Sequence, residues 1–390
     1  MGTRNKVNLS ARILLVLSLF ALGTILLQHR ILNRVGGDSL SSQGYGVNFN
    51  AFTEQNRNLH RGRNSAIGTT PVFHTCAIQN RTVRVPIAPQ FIIAGAQKCG
   101  TTALYEFLNE HPELKGSAKD EVHFFDWHYP ADDRRLEWLT EHNISTGISE
   151  QEYLCVLQEM YGKEFPFAYN ESKIHFEKTP SYLFLTMVPK RIFLTCPSKP
   201  KIILILRNPV DRAFSHFRMG VRVHGRSFDQ LIDEEIENMR LIGLSQAPLR
   251  KENYSAQDPG FQIPNFTQKE SEDIHWRHYR RMFANNYLQR GMYITQIYHW
   301  TKYFPLHESL LAVNYERFKA QPKEVFAKIL EFIGASPFEP ADGFQTEHNS
   351  RGTPRNPISE RTRRYLNDFF RPYNTLLADS LGDEWRGVWS

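Results

Sequence analysis

From residue 88 onward, short apolar runs alternate with stretches whose apolar residues recur every three or four positions. That alternation predicts buried strands followed by amphipathic helices, the order of an α/β protein built on a parallel sheet. "QFIIAG" (90–95) is the first such run. In "TTALYEFLNEHP" after it, Ala103, Leu104, Phe107 and Leu108 share one helical face and Pro112 stops the helix. "KIILIL" (201–206) reads as a second buried strand, with Asn208 as N-cap and Pro209 opening the next helix. "LLAVNYERF" (310–318) predicts a further strand and turn, and "PKEVFAKILEFIG" (322–334) a helix closed by Gly334. "ISERTRRYLNDFFRPYNTLLADSLG" (358–382) reads as a helix kinked near Pro372. No internal repeat is visible.

The first 87 residues follow another logic. Ile13 to Leu27 form an uncharged apolar run preceded by Arg4, Lys6 and Arg12. Extended to residues 11–28, this run is expected to span a thin secretory-pathway bilayer as a signal anchor, with residues 1–10 cytosolic and the rest lumenal. A cleaved signal peptide is the alternative, but "QHRILNR" after the run offers no small-x-small cleavage site. Residues 29–87, rich in Gly, Ser, Asn and Gln, read as a stem, which leaves 88–390 as the folded domain. Five N-x-[ST] sites follow the anchor, at Asn80, Asn143, Asn170, Asn253 and Asn265, as a lumenal glycoprotein would carry. Four cysteines, Cys76, Cys99, Cys155 and Cys196, allow one or two disulfides in an oxidising compartment. Cys99 lies within a loop of interest and is expected to stay free, which favours Cys155 with Cys196.

The net charge of +6 suggests a polyanion partner until it is divided along the chain. Residues 1–30 and 31–89 each contribute +4, so residues 90–390 carry −2. A basic groove in the domain must therefore be local, and nucleic acid is not an expected partner.

Between the first strand and helix stands "GAQKCGTT" (95–102). Gly95 and Gly100 keep the spacing of a nucleotide phosphate loop, but Lys98 precedes the second glycine and Thr101 stands where the triphosphatase lysine belongs. A glycine-bearing turn into a helix still offers amides and a helix N-terminus to an anion. The strand "KIILIL" ends in Arg207, a cation where a magnesium-dependent kinase places an aspartate, which disfavours that reading.

Taken in order, "GAQKCGTTALYEFLNEHP", "KDEVHFFDWHY", "FEKTPSYL", "ILRNPVDRAFSHF", "RGMYITQIYHWTKYFP" and "SRGTPRNPIS" resemble the Golgi heparan sulfate sulfotransferases, most closely the glucosaminyl 3-O-sulfotransferases, over about residues 88–390. The resemblance implies a phosphate-loop-containing parallel β-sheet flanked by helices, the sulfotransferase fold, behind a single transmembrane helix. It implies a type II Golgi membrane enzyme that uses 3′-phosphoadenosine 5′-phosphosulfate (PAPS), needs no metal, and modifies a hydroxyl of a sulfated or acidic polysaccharide. Lys98, Cys99, Gly100, Thr101 and Thr102 would hold the phosphosulfate, with Lys98 assisting the leaving group. Arg207 and Ser215 would hold the 3′-phosphate, and Arg351, Gly352 and Thr353 would add a second phosphate contact. The family has arginine at the position of Thr353, and Arg355 stands near enough to substitute. Glu121 matches the general base; His123, expected on the same face of an extended segment, and Asp126 would orient it or the acceptor. Lys178 would contact sulfate or acceptor near the reaction centre. Two other readings are a sulfotransferase for a glycan amine or non-glycan alcohol, and a non-catalytic glycan-binding membrane protein on the same fold.

Overall fold

The computed structural model describes residues 73–130, 135–142, 144, 146–169, 173–197, 199–220, 225–241, 286–344 and 357–389. The expected anchor, cytosolic tail and most of the stem lie outside these residues. So do Asn143, Asn170, Asn253 and Asn265, whereas Asn80 is exposed in a turn. Among the described residues, no helix is long and apolar enough to cross a membrane.

Five parallel strands form the central sheet: β3 (Phe91–Gly95), β4 (Leu114–Gly116), β5 (Ile174–Lys178), β6 (Lys201–Leu206) and β7 (Leu310–Asn314), in the order β4-β5-β3-β6-β7. β3 and β5 are buried along their whole length, which is why they read as unbroken runs instead of alternating ones. Helices α1 (Thr101–Glu110), α2 (Arg135–Glu141), α3 (Glu150–Gly162), α4 (Val188–Thr195), α5 (Pro209–Phe217), α6 (Phe228–Leu241), α7 (Tyr293–Thr301), α8 (Tyr315–Ala320), α9 (Pro322–Ile333) and α10 (Glu360–Leu381) complete the α/β body.

Local signals act as expected at several helix ends. Asn208 accepts from the amides of Val210 and Asp211, with Pro209 at the first position of α5, and Gly334 at φ 79° closes α9. The stretch expected to turn after β7 is instead the helix α8, started by the Asn314 side chain accepting from Arg317 N. α10 continues through Pro372.

Two expectations are corrected at the start of the domain. Residues 73–86, expected in the stem, form an antiparallel hairpin of β1 (Phe73–Ile78) and β2 (Arg81–Pro86) packed on α3. The disulfide joins Cys76 of β1 to Cys155 of α3, with Cα atoms 5.9 Å apart; Cys196 is a free buried thiol, as is Cys99. Cys155 faces the hairpin, so its partner comes from 79 residues upstream. A cross-link spanning that length removes much chain entropy from the unfolded state. The pair Cys76→Ser and Cys155→Ser is therefore expected to lose about 2–5 kcal/mol of stability, seen as a lower melting temperature.

One buried acid organises the far side. Glu235 of α6 accepts hydrogen bonds from the amides of Tyr287, Leu288 and Gln289 at 2.7–3.0 Å. Burial, opposed by those three amides, raises its carboxyl to about 7.

Candidate active site

β3 stands between β5 and β6, and chain order changes direction around it: β4 and β5 lie on one side, β6 and β7 on the other. The carboxyl ends of β5, β3 and β6 therefore open at the switch point, where open α/β sheets bind ligands. Three of the quoted segments converge there.

The loop after β3 is shaped by close packing. A Cβ on Gly95 would lie 2.5 Å from Leu183 Cβ, and one on Gly100 2.8 Å from the Tyr315 ring, so both positions exclude side chains. Gly100 also sits at φ 85°, and Lys98 holds a left-handed φ of 72°, an unusual conformation for a side-chain-bearing residue. Cys99 N donates to Ala96 O, and Leu104 N to Gly100 O begins the helix. Among the described residues, no side chain caps α1 and its first turn holds no acid, which leaves its amides open to an anion. Thr101 is buried and Thr102 half-buried at that helix start.

Arg207 follows β6 and donates Nη1 to Lys98 O at 3.3 Å, with its guanidinium 5.0 Å from the centre of the Tyr315 ring. Tyr293 of α7 donates its hydroxyl to Arg207 O at 2.9 Å and lies 3.7 Å from Cys99 Sγ, so loop and strand end share one support. Burial pushes the Cys99 thiol up to about 11, which leaves it neutral and unreactive. Ser215 lies half-buried on α5, two turns after Arg207.

The field around the loop is positive. Burial, then the charges of Arg212, Arg290 and Lys98, press His216 down to about 2, so it stays neutral. Arg212 is wholly buried and donates Nη2 to Tyr287 O, while its Nε and Nη1 have no hydrogen-bond partner among the described residues. Sequence reasoning missed Arg212 and Arg290, although both stand in quoted motifs. Arg351, Gly352 and Thr353 lie outside the described residues.

The second half of the site is a clamp made by "EKTPSY" (177–182) on "EVHFFD" (121–126). Alternation along β5 sends Glu177 and Lys178 to opposite faces. Glu177, fully buried, accepts from Tyr161 Oη and from Thr179 Oγ1. Thr179 Oγ1 accepts in turn from the amides of Val122 and His123. Ser181 donates to Asp126 Oδ2 at 2.6 Å, and Tyr182 Oη accepts from Phe125 N at 3.2 Å. Residue by residue, one segment fixes the other.

The clamped segment is not extended as expected. His123 sits at φ 54° and begins a π-helical turn over Phe124–His128, because the turn presents the amides of 122, 123 and 125 to the clamp. The imidazole still meets Glu121, with Nε2 3.1 Å from Glu121 Oε2 and Nδ1 2.9 Å from Asp126 Oδ2. Burial alone would lower His123, but the hydrogen bonds and charges of Asp126 and Glu121 raise it to about 9. It is therefore an imidazolium at neutral pH. Lys178 Nζ, buried, lies 2.7 Å from Asp120 Oδ1 and 3.6 Å from Glu121 Oε1. Glu121 thus lies between two cations. Asp120 was missed; its only sequence signal is its place beside Glu121.

Burial also raises Glu177 to about 7, against hydrogen bonds from Tyr161 and Thr179 that lower it. From pH 4.5 to about 7 the folded state keeps a proton on Glu177 that the unfolded chain releases, and from 6.5 to about 9 it does the same at His123. Both make stability fall as pH rises. Glu235, also raised to about 7, adds to the lower decline and His216, pressed to about 2, opposes it below pH 6.5; melting temperatures are expected to decline from pH 5 to 9, with Glu177→Gln reducing the lower slope and His123→Gln the upper.

The residues around the loop fit a donor that carries a phosphosulfate and a second phosphate: open helix amides and a positive surround. Comparison with known proteins agrees with this chemistry. The family model described as "Sulfotransferase domain" matches residues 88–350. Mouse "Bifunctional heparan sulfate N-deacetylase/N-sulfotransferase 1" is 25% identical over 315 residues, covering 75% of this chain and 29% of that protein. Dictyostelium discoideum "Membrane-associated sulfotransferase kil1" is 22% identical over 347 residues, covering 76% of this chain and 66% of that one. The chain thus spans under a third of the first relative and about two thirds of the second. Among solved structures, a sulfotransferase from Alicyclobacillus acidocaldarius is 24% identical, with TM-score 0.47, covering 77% of this chain and 99% of that one.

Proposed function

Because the chain belongs to the sulfotransferase family, we propose that it transfers a sulfonate group from PAPS to a hydroxyl of a glycan or glycosaminoglycan-like acceptor, with Glu121 as general base. The observation that carries this reading is the clamp, which holds Glu121 at the carboxyl edge of the sheet beside Lys178. PAPS supplies the activated sulfonate. The amides at Cys99 to Thr102 and the Lys98 ammonium hold the phosphosulfate and meet the charge that develops on its phosphate oxygen. Arg207 offers its planar fork to the 3′-phosphate, supported by Ser215. Glu121 takes the hydroxyl proton as the new S–O bond forms, and His123, fixed by Asp126, aims that carboxylate. Lys178 balances negative charge beside it.

The lumenal Golgi setting, with residues 11–28 as anchor, 29–72 as stem and an acidic polysaccharide as partner, belongs to the same proposal. It draws support from the glycan-modifying name of the mouse relative and the membrane-associated name of the Dictyostelium one. The mouse name also includes N-sulfotransferase, so a glycan amine is the competing acceptor.

Full-length protein incubated with radiolabelled PAPS and a panel of hydroxyl-bearing, N-unsubstituted and non-glycan acceptors is expected to label a glycan hydroxyl, located by mass spectrometry. Label on nitrogen would select the competing acceptor. Absence of label on every acceptor, with PAP still bound, would leave a glycan-binding protein on this fold.

A further inference from the structure

Trp127 is 59% exposed and the largest of the exposed apolar side chains among the described residues, the others being Phe167, Leu194 and Val388. It is also the one beside Glu121 and His123 in the chain. Its indole stacks on the His123 imidazole with centroids 3.6 Å apart and planes 2° from parallel. Its amide donates to Asp126 Oδ1 and to His123 O, so the backbone beneath the ring is fixed by the same turn that fixes the base. The imidazole covers one face of the indole, and more than half of the side chain stays exposed. A rigid, half-covered aromatic face at the mouth of a site is a low-entropy binding surface.

We infer that Trp127 is the stacking platform for a sugar ring next to the one that is sulfonated, so that the acceptor is a chain of at least two linked rings. This rests on the sulfotransferase reading above and deepens it. The argument is one of height. His123 Nε2 meets Glu121 at the edge of the imidazole, so the base stands beside the stacked pair and not above the exposed face of the indole. A ring resting on the exposed face of the indole, at a contact distance of about 3.5–4 Å, stands about 7 Å from the imidazole plane. Its own hydroxyls then lie above the indole and away from Glu121. A neighbour in a glycan chain can present one to Glu121. A small phenol or single-ring alcohol has no second ring to place there.

The charge beneath the indole narrows the class further. His123 is an imidazolium, and a cation on one face of a ring weakens the attraction of the opposite face for another cation. The stacked residue is therefore a neutral or acidic pyranose, not an ammonium-bearing one.

The test compares Trp127→Ala and Trp127→Phe with the unaltered full-length protein loaded with PAP. Calorimetry reads binding of a heparan-derived hexasaccharide, and initial rates read transfer to that hexasaccharide and to a single-ring methyl glycoside. Trp127→Ala is expected to weaken hexasaccharide binding and its kcat/KM about tenfold or more, as loss of an aromatic stack does. The same variant leaves PAP affinity unchanged and lowers the rate with the methyl glycoside by a clearly smaller factor, while Trp127→Phe recovers most of the loss. Equal losses for both acceptors, or none for either, would overturn the platform. A protein that binds PAP and the hexasaccharide but transfers to neither acceptor overturns the enzymatic reading instead, and the binding comparison still decides the role of Trp127.

Discussion

Glu121→Gln is expected to reduce kcat for sulfonate transfer about 10²–10⁴-fold, the range that a positioned general base contributes, with PAP affinity unchanged by calorimetry. The substitution keeps the shape and an acceptor oxygen for His123 Nε2, so the clamp and the turn from Phe124 to His128 should stay in place. What it removes is the lone pair that takes the proton. His123 cannot replace it at neutral pH, because both its nitrogens face carboxylates and its value is raised to about 9. Asp120 is the other carboxylate on Lys178, at 2.7 Å, and is the residue to compare. Asp120→Asn should act mainly on KM, since its carboxylate pairs with the lysine and does not touch the imidazole. If Glu121→Gln kept more than about a tenth of the rate and Asp120→Asn fell by the larger factor, the base would be Asp120.

Arg207→Ala is expected to weaken PAP binding about 10- to 100-fold, the loss of one or two charge-assisted hydrogen bonds to a phosphate. The discriminating ligand is adenosine 5′-phosphosulfate, which lacks the 3′-phosphate. The unaltered protein should prefer the 3′-phosphorylated donor by a similar factor, and Arg207→Ala should lose that preference while its affinity for the other ligand stays level. The guanidinium already lies against Tyr315 and bonds to Lys98 O, so some loss through the loop is expected too. Equal weakening toward both ligands would make Arg207 a loop support and not a phosphate reader.

The sheet was legible because its strands are buried on both faces. Hydrophobicity in β3, β6 and β7 is continuous and bounded by turn residues, so the order of elements follows from composition alone. The hairpin over 73–86 was not legible, because exposed and buried residues mix in β1 and β2 without a clean apolar run. Its disulfide went with it: a cysteine in an apparent linker gives no sign that a helix 79 residues later will face it. In the site, Glu121, His123, Asp126 and Lys178 were found through their motifs, and the structure brings those four together. The means of holding them was hidden. Thr179 reaches back 57 residues to Val122, and Ser181 reaches 55 to Asp126. Hydroxyls at such separations leave no periodicity to read. Arg212 and Tyr293 are likewise ordinary members of helices until packing puts them under the loop.

The Glu235 carboxylate has a consequence for how this protein can change. It joins α6 to the amides of Tyr287, Leu288 and Gln289, 52 to 54 positions further along the chain. Any inherited change at Glu235 would therefore loosen both parts at once, so this position is less free to vary than an acid on the surface.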